Sequence, residues 1–139
     1  MKFIAPLAAF ASVALAQNAH IAFPHGATAT AGDEYLIQIQ QPDSLTSLMN
    51  FGIAIGISSC AQSKCLPAKE EIGDVLYAGP FNPEFHQTGG HGPYQNFTVK
   101  IPKYLAAGKA QINVAHAYLL GASLYPVMNT LNETMHITK

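Results

Sequence analysis

Arginine and tryptophan are absent from this 139-residue chain, cysteine occurs twice, and charged residues make up only 11% of it. Without arginine, and with its lysines spread singly, the chain has no basic cluster to neutralise phosphates, which argues against a nucleic acid partner. Without tryptophan, and with both cysteines close together, the inter-sheet disulfide and tryptophan core of antibody domains cannot be built. No apolar run reaches the roughly 20 residues of a membrane-crossing helix. There is no Gly-x-Ser-x-Gly nucleophile elbow. The paired acids Asp33-Glu34 and Glu70-Glu71 are adjacent, so on a strand they point to opposite faces and cannot work as an acid and base pair. These absences leave no catalytic machinery, and no enzyme activity is expected.

The longest apolar run is informative because it is short. Lys2 precedes about 13 apolar residues, Phe3 to Leu15, interrupted by Pro6, and Ala14-Leu15-Ala16 places small residues where a signal peptidase reads them. Residues 1–16 are therefore expected to be a signal peptide and residues 17–139 a single secreted domain. Losing Lys2 moves the formal charge from −1 to −2. The chain closes on Thr138-Lys139 with no hydrophobic tail and no prenylation cysteine, so no membrane anchor is expected after processing. In a secreted chain, Cys60 and Cys65 read as a small disulfide loop. A structural zinc site needs a second cysteine pair or spaced histidines, which this segment lacks.

Period-2 alternation dominates the rest. Tyr35, Ile37 and Ile39 alternate with polar or smaller positions, as do Phe97, Val99 and Ile101, then Ile112 and Val114, then Leu131, Met135 and Ile137. In Phe51 to Ser58 the large residues Phe51, Ile53, Ile55 and Ile57 interleave with Gly52, Ala54, Gly56 and Ser58. This predicts a central strand with a large face toward the core and a small face against something close. With an opening strand near His20 to Phe23 and another around Ile72 to Tyr77, about seven strands are expected, separated by Gly, Pro and Asp turns. The fold class is all-β, an immunoglobulin-like β-sandwich, with a small barrel as the alternative.

Gly79 to Tyr94 breaks the rhythm with four glycines, three prolines and two histidines. A connection of that length in a compact domain is functional or mobile. Phe81, Phe85 and Tyr94 either pin it to the sandwich or present an adhesive patch, which makes Phe81, Phe85, His86 and Tyr94 candidate partner-binding residues. Of the six histidines, His20 raises a copper alternative, an extracellular copper-binding or monooxygenase-like protein, if processing left it as the N-terminal residue. Cleavage after Ala16 instead makes it the fourth residue, and no metal or cofactor is expected. His116 falls on the apolar face of its strand and reads as a core histidine with one hydrogen bond, while His136 falls on a polar face. The sequons at Asn96 and Asn132 put Asn and Thr on the polar phase of alternating strands, where a glycan would project into solvent.

Several blocks, in order, resemble the fungal necrosis-inducing secreted protein (Nis1-like) effector family. They are Phe51-Gly52-Ile53-Ala54-Ile55-Gly56-Ile57, the Cys60 to Cys65 loop, Ile72 through His86, Tyr94 through Val99, and Gly108 through Ala122. The segment Leu76 to His86 is the most specific. The resemblance implies a small secreted effector without enzyme activity, and a monomer is expected. It would bind plant receptor-associated kinases, suppress immune signalling and provoke cell death, acting outside the producing cell or in the cytoplasm of a host that takes it up.

Overall fold

The computed structural model describes residues 19–43, 47–86 and 92–139; the expected signal peptide lies outside them. Among the described residues eight strands run in chain order: β1 (His20–Ala22), β2 (Thr28–Thr30), β3 (Glu34–Gln40), β4 (Leu48–Ser59), β5 (Asp74–Gly79), β6 (Tyr94–Lys100), β7 (Gly108–Leu120) and β8 (Tyr125–Thr138). No helix forms among the described residues, and none is long and apolar enough to cross a membrane. The strands make two sheets, β1-β3-β6 and β2-β8-β7-β4-β5. The expected β-sandwich is therefore the fold, with eight strands instead of about seven. Two differences are local: the three-residue β2 pairs parallel to the end of β8, and β8 begins at Tyr125, several residues before its alternation becomes apolar.

The alternating residues fill the space between the sheets. Ile37 and Ile39 of β3, Phe97 and Val99 of β6, Ile53, Ile55 and Ile57 of β4, Ile112 and Val114 of β7, and Ile137 of β8 are all at most 5% exposed. Each such side chain contributes about 1.5–3 kcal/mol over its exposed state.

Phe51 departs from expectation. Its alternation with Gly52 places it on the core face, but it is 60% exposed. The register between β4 and β7 shifts between Asn50 and Gly52, which leaves Phe51 as the extra residue of a β-bulge. A bulge reverses the phase of the strand before it. Met49 and Phe51 therefore turn outward, and Leu48 and Asn50 turn inward.

The small face of β4 meets something close at Gly56 and Ser58, as its composition predicts, but not at Gly52 and Ala54. Residues 60–73 fold back over the outer face of the larger sheet. A Cβ on Gly56 would sit 2.3 Å from the carbonyl oxygen of Ile72, so only glycine admits the approach. Polar groups beneath this cover are paired. Asn113 donates from Nδ2 to Ser58 Oγ (3.0 Å) and to the Ile72 carbonyl (3.3 Å), and Gln111 donates from Nε2 to Asn113 Oδ1 (2.7 Å) and to the Leu66 carbonyl (2.6 Å). Cys60 and Cys65 are disulfide-bonded and pin the start of the cover. Reducing the bridge is expected to lower stability by about 2 kcal/mol, given its short loop. Amide exchange compared with and without reductant should then rise first in residues 60–73, while β3 and β7 stay protected.

Candidate functional site

At one end of the sandwich the chain crosses between sheets twice, from β3 to β4 and from β5 to β6, and the two connections frame a cleft of about 690 Å³. Gln41, Pro42 and Asp43 follow β3, Ser47, Leu48 and Asn50 open β4, Phe81 to Pro83 and Phe85 follow β5, and Pro93 precedes β6. The bulge at Phe51 makes this arrangement possible, because it turns Asn50 inward.

Asn50 is the middle of a buried polar chain. His116 is 2% exposed on the inward face of β7. Its Nε2 lies 2.6 Å from Asn50 Oδ1, and Asn50 Nδ2 donates to Gln41 Oε1 at 2.8 Å. With Asn50 oriented by Gln41, the ring donates from Nε2, and Nδ1 is buried with no hydrogen-bond partner among the described residues. Burial, with no carboxylate to offset it, pushes the His116 imidazole down to about 4, so it is neutral near pH 7. The hydrogen bond goes to an amide, not to a carboxylate, hydroxyl or thiol, so the ring is neither polarised as a base nor aimed at a nucleophile. His116 is the hydrogen-bonded core histidine that its strand position predicts.

Of the four candidate contact residues, the structure separates one from the rest. Phe81 is 1% exposed. Its ring stands edge-on to His116 at 5.0 Å and lies 6.2 Å from Phe97. It plugs the end of the core, and its assignment as a contact residue is corrected: packing between the sheets leaves no ring surface for a partner. Phe85, at the cleft rim, is 69% exposed. His86 is exposed and stacks on Tyr94, with ring centroids 3.7 Å apart and planes at 12°. Two backbone hydrogen bonds between Glu84 and Tyr94, at 3.1 and 3.0 Å, hold this part of the connection as a short arm beside β6. The long segment thus both pins itself and presents surface, with the division falling between Phe81 and Phe85. Residues 87–91 lie outside the described residues.

His20 lies on β1 opposite Gln40, and among the described residues no three His, Cys, Asp or Glu side chains gather as metal donors. Asn96, Thr98, Asn132 and Thr134 are all exposed. Asn96 accepts a hydrogen bond at Oδ1 from Gln38 Nε2 (3.0 Å), a bond that does not engage its Nδ2, the atom a glycan would take. The polar chain from His116 to Gln41 went unforeseen. The one signal for it was a histidine on an apolar face, which requires a polar partner on a neighbouring strand, and only the register identifies that partner as Asn50.

Among solved structures, the chain is similar to a superoxide reductase (neelaredoxin) from Ignicoccus hospitalis, with a TM-score of 0.53 and 10% identity, covering 88% of this chain and 81% of that one. At that identity the likeness shows the β-fold alone. A search of curated proteins gives no match. The sequence matches the Nis1 family over residues 14–136, nearly the whole chain and every strand up to the last residues of β8. The chain belongs to the Nis1 family.

Proposed function

We propose that this protein is a secreted, non-catalytic fungal effector that binds the kinase domain of a plant immune receptor partner, suppressing signalling and provoking cell death. Family membership supports the effector role. The disulfide and the signal-like N-terminus are compatible with export. The observation that carries the binding surface is Phe85, a large aromatic ring 69% exposed on the rim of the end cleft, beside the His86–Tyr94 stack. Aromatic anchors commonly dominate interface energies, and a ring held out on a pinned arm loses little freedom on binding. The neutral, amide-bonded His116 behind the cleft fits recognition better than turnover.

The test is a binding titration of the processed protein against receptor-associated kinase domains. Phe85→Ser is expected to weaken binding at least tenfold, about 1.4 kcal/mol, with an unchanged circular dichroism spectrum. Substituting Phe81 is no test of contact, since that ring belongs to the core. Unchanged affinity in Phe85→Ser would move the interface off the cleft rim, and a wild type that binds no such kinase would remove the kinase reading.

A further inference from the structure

Among the described residues, the outer face of the larger sheet is covered over only half its length. Residues 60–73 lie across the Gln111 and Asn113 half. Toward the other end the cross-strand register sets out uncharged rows that are apolar except for Thr130. Met49, Leu119 and Pro126 align across β4, β7 and β8, then Gly52, Ala117 and Met128, then Ala54, Ala115 and Thr130. Met49 is 54% exposed and Met128 66%, and the bulge turns Phe51 out beside them at 60%. The result is a flat floor of glycine and alanine with three large apolar side chains standing on it.

No charged residue occurs between Asp43 and Lys64 or between Lys109 and Glu133, the segments that supply these rows. That decides between occupants. A bilayer with anionic headgroups finds no Lys or Arg to hold it, and a charged protein partner finds no complementary charge. An uncharged, flat, apolar surface suits another of the same kind, and a second copy brings one with no like-charge repulsion. Three strands at about 4.8 Å spacing and five residues at about 3.4 Å rise give, with side-chain margins, a face of roughly 400 Å². That lies within the roughly 300–600 Å² of a functional patch and below the roughly 800 Å² per partner of a standard stable interface. We propose that this face mediates a weak two-fold symmetric dimer in which Phe51 and Met128 of each copy pack on the glycine and alanine floor of the other, instead of the monomer the sequence suggested.

Two features shape the pairing. Asn132 faces the same side as Met128 but lies four residues on, about 13 Å along the strand, so a glycan there would border the contact without filling it. The end cleft opens on the inward phase of β4, away from the face, so both clefts of a dimer stay open, and a partner offering two sites would gain avidity. The dimer itself does not depend on the kinase reading.

Sedimentation equilibrium of the processed protein over a micromolar concentration series tests this. The expected result is a mass rising toward twice the monomer. Phe51→Asp and Met128→Glu should each weaken association at least tenfold by placing like charges across the two-fold axis region, with melting temperatures near wild type because both positions are already exposed. A wild type that stays monomeric throughout, or charged variants that dimerise as well as wild type, would overturn the proposal. Monomeric wild type that co-sediments with phosphatidylcholine vesicles would overturn it in favour of a bilayer.

Discussion

Ile55→Asp is expected to leave the protein largely unfolded at room temperature, while Lys100→Asp leaves it folded. Ile55 is 0% exposed at the centre of β4, between Val114 of β7 and Tyr77 of β5. Of the residues paired beside it, Val114 is apolar and Tyr77 already donates its hydroxyl to the Pro80 carbonyl, so burying or protonating a carboxylate there costs several kcal/mol. A domain of this size holds only about 5–15 kcal/mol in total, and the change also loses the packing of the isoleucine. Lys100 is exposed on β6 opposite Glu34. An aspartate there sets two acids across the ladder, at a cost of about 0.2–1 kcal/mol. Urea midpoints for the two variants check the assignment of faces, and similar losses would mean that β4 and β6 are turned the other way.

Period-2 alternation gave the core residues of β3, β6, β7 and β8 correctly, because a strand with one wet face has no freedom to place its large residues elsewhere. The small-residue series gave the covered face of β4 only at Gly56 and Ser58; Gly52 and Ala54 lie beyond the cover. Phe51 was misplaced because a bulge is a property of the pairing, and nothing in β4 alone records that Asn50 and Gly52 oppose consecutive residues of β7. Phe81 was misplaced because proline and asparagine around it mark a loop correctly but do not say whether the loop turns back into the core. At the site, the exposed aromatic Phe85 was legible from its loop setting. The His116, Asn50 and Gln41 chain was not, since its members lie 66 and 9 residues apart and meet only once the register is set. The uncharged stretches were visible in the sequence throughout, yet their meeting on one face required the order β8-β7-β4.

Acid should destabilise this protein through His116. The folded imidazole is held down at about 4 by burial, against roughly 6.5 in an unfolded chain. Above pH 6.5 neither state binds the proton, and the histidine costs nothing. As the pH falls from about 6.5 to about 4, the unfolded chain takes up a proton that the folded chain refuses, so stability is lost across that window and levels off below it. The full loss is about 3 kcal/mol. The ring's neighbours offer no rescue for the charged form: Asn50 is an amide, Phe81 stands edge-on at 5.0 Å and Tyr118 lies at 4.8 Å. His116→Gln keeps a donor for Asn50 without a titrating ring. It is expected to be less stable than wild type near pH 7, because it packs less well against Phe81, but to lose less stability between pH 7 and pH 4. Carboxylates elsewhere titrate equally in both proteins, so the difference between the two pH profiles isolates the imidazole. Urea midpoints at a series of pH values measure it. Profiles that fall in parallel would show that the acid response lies elsewhere and that the ring is charged, or solvated, in the folded protein.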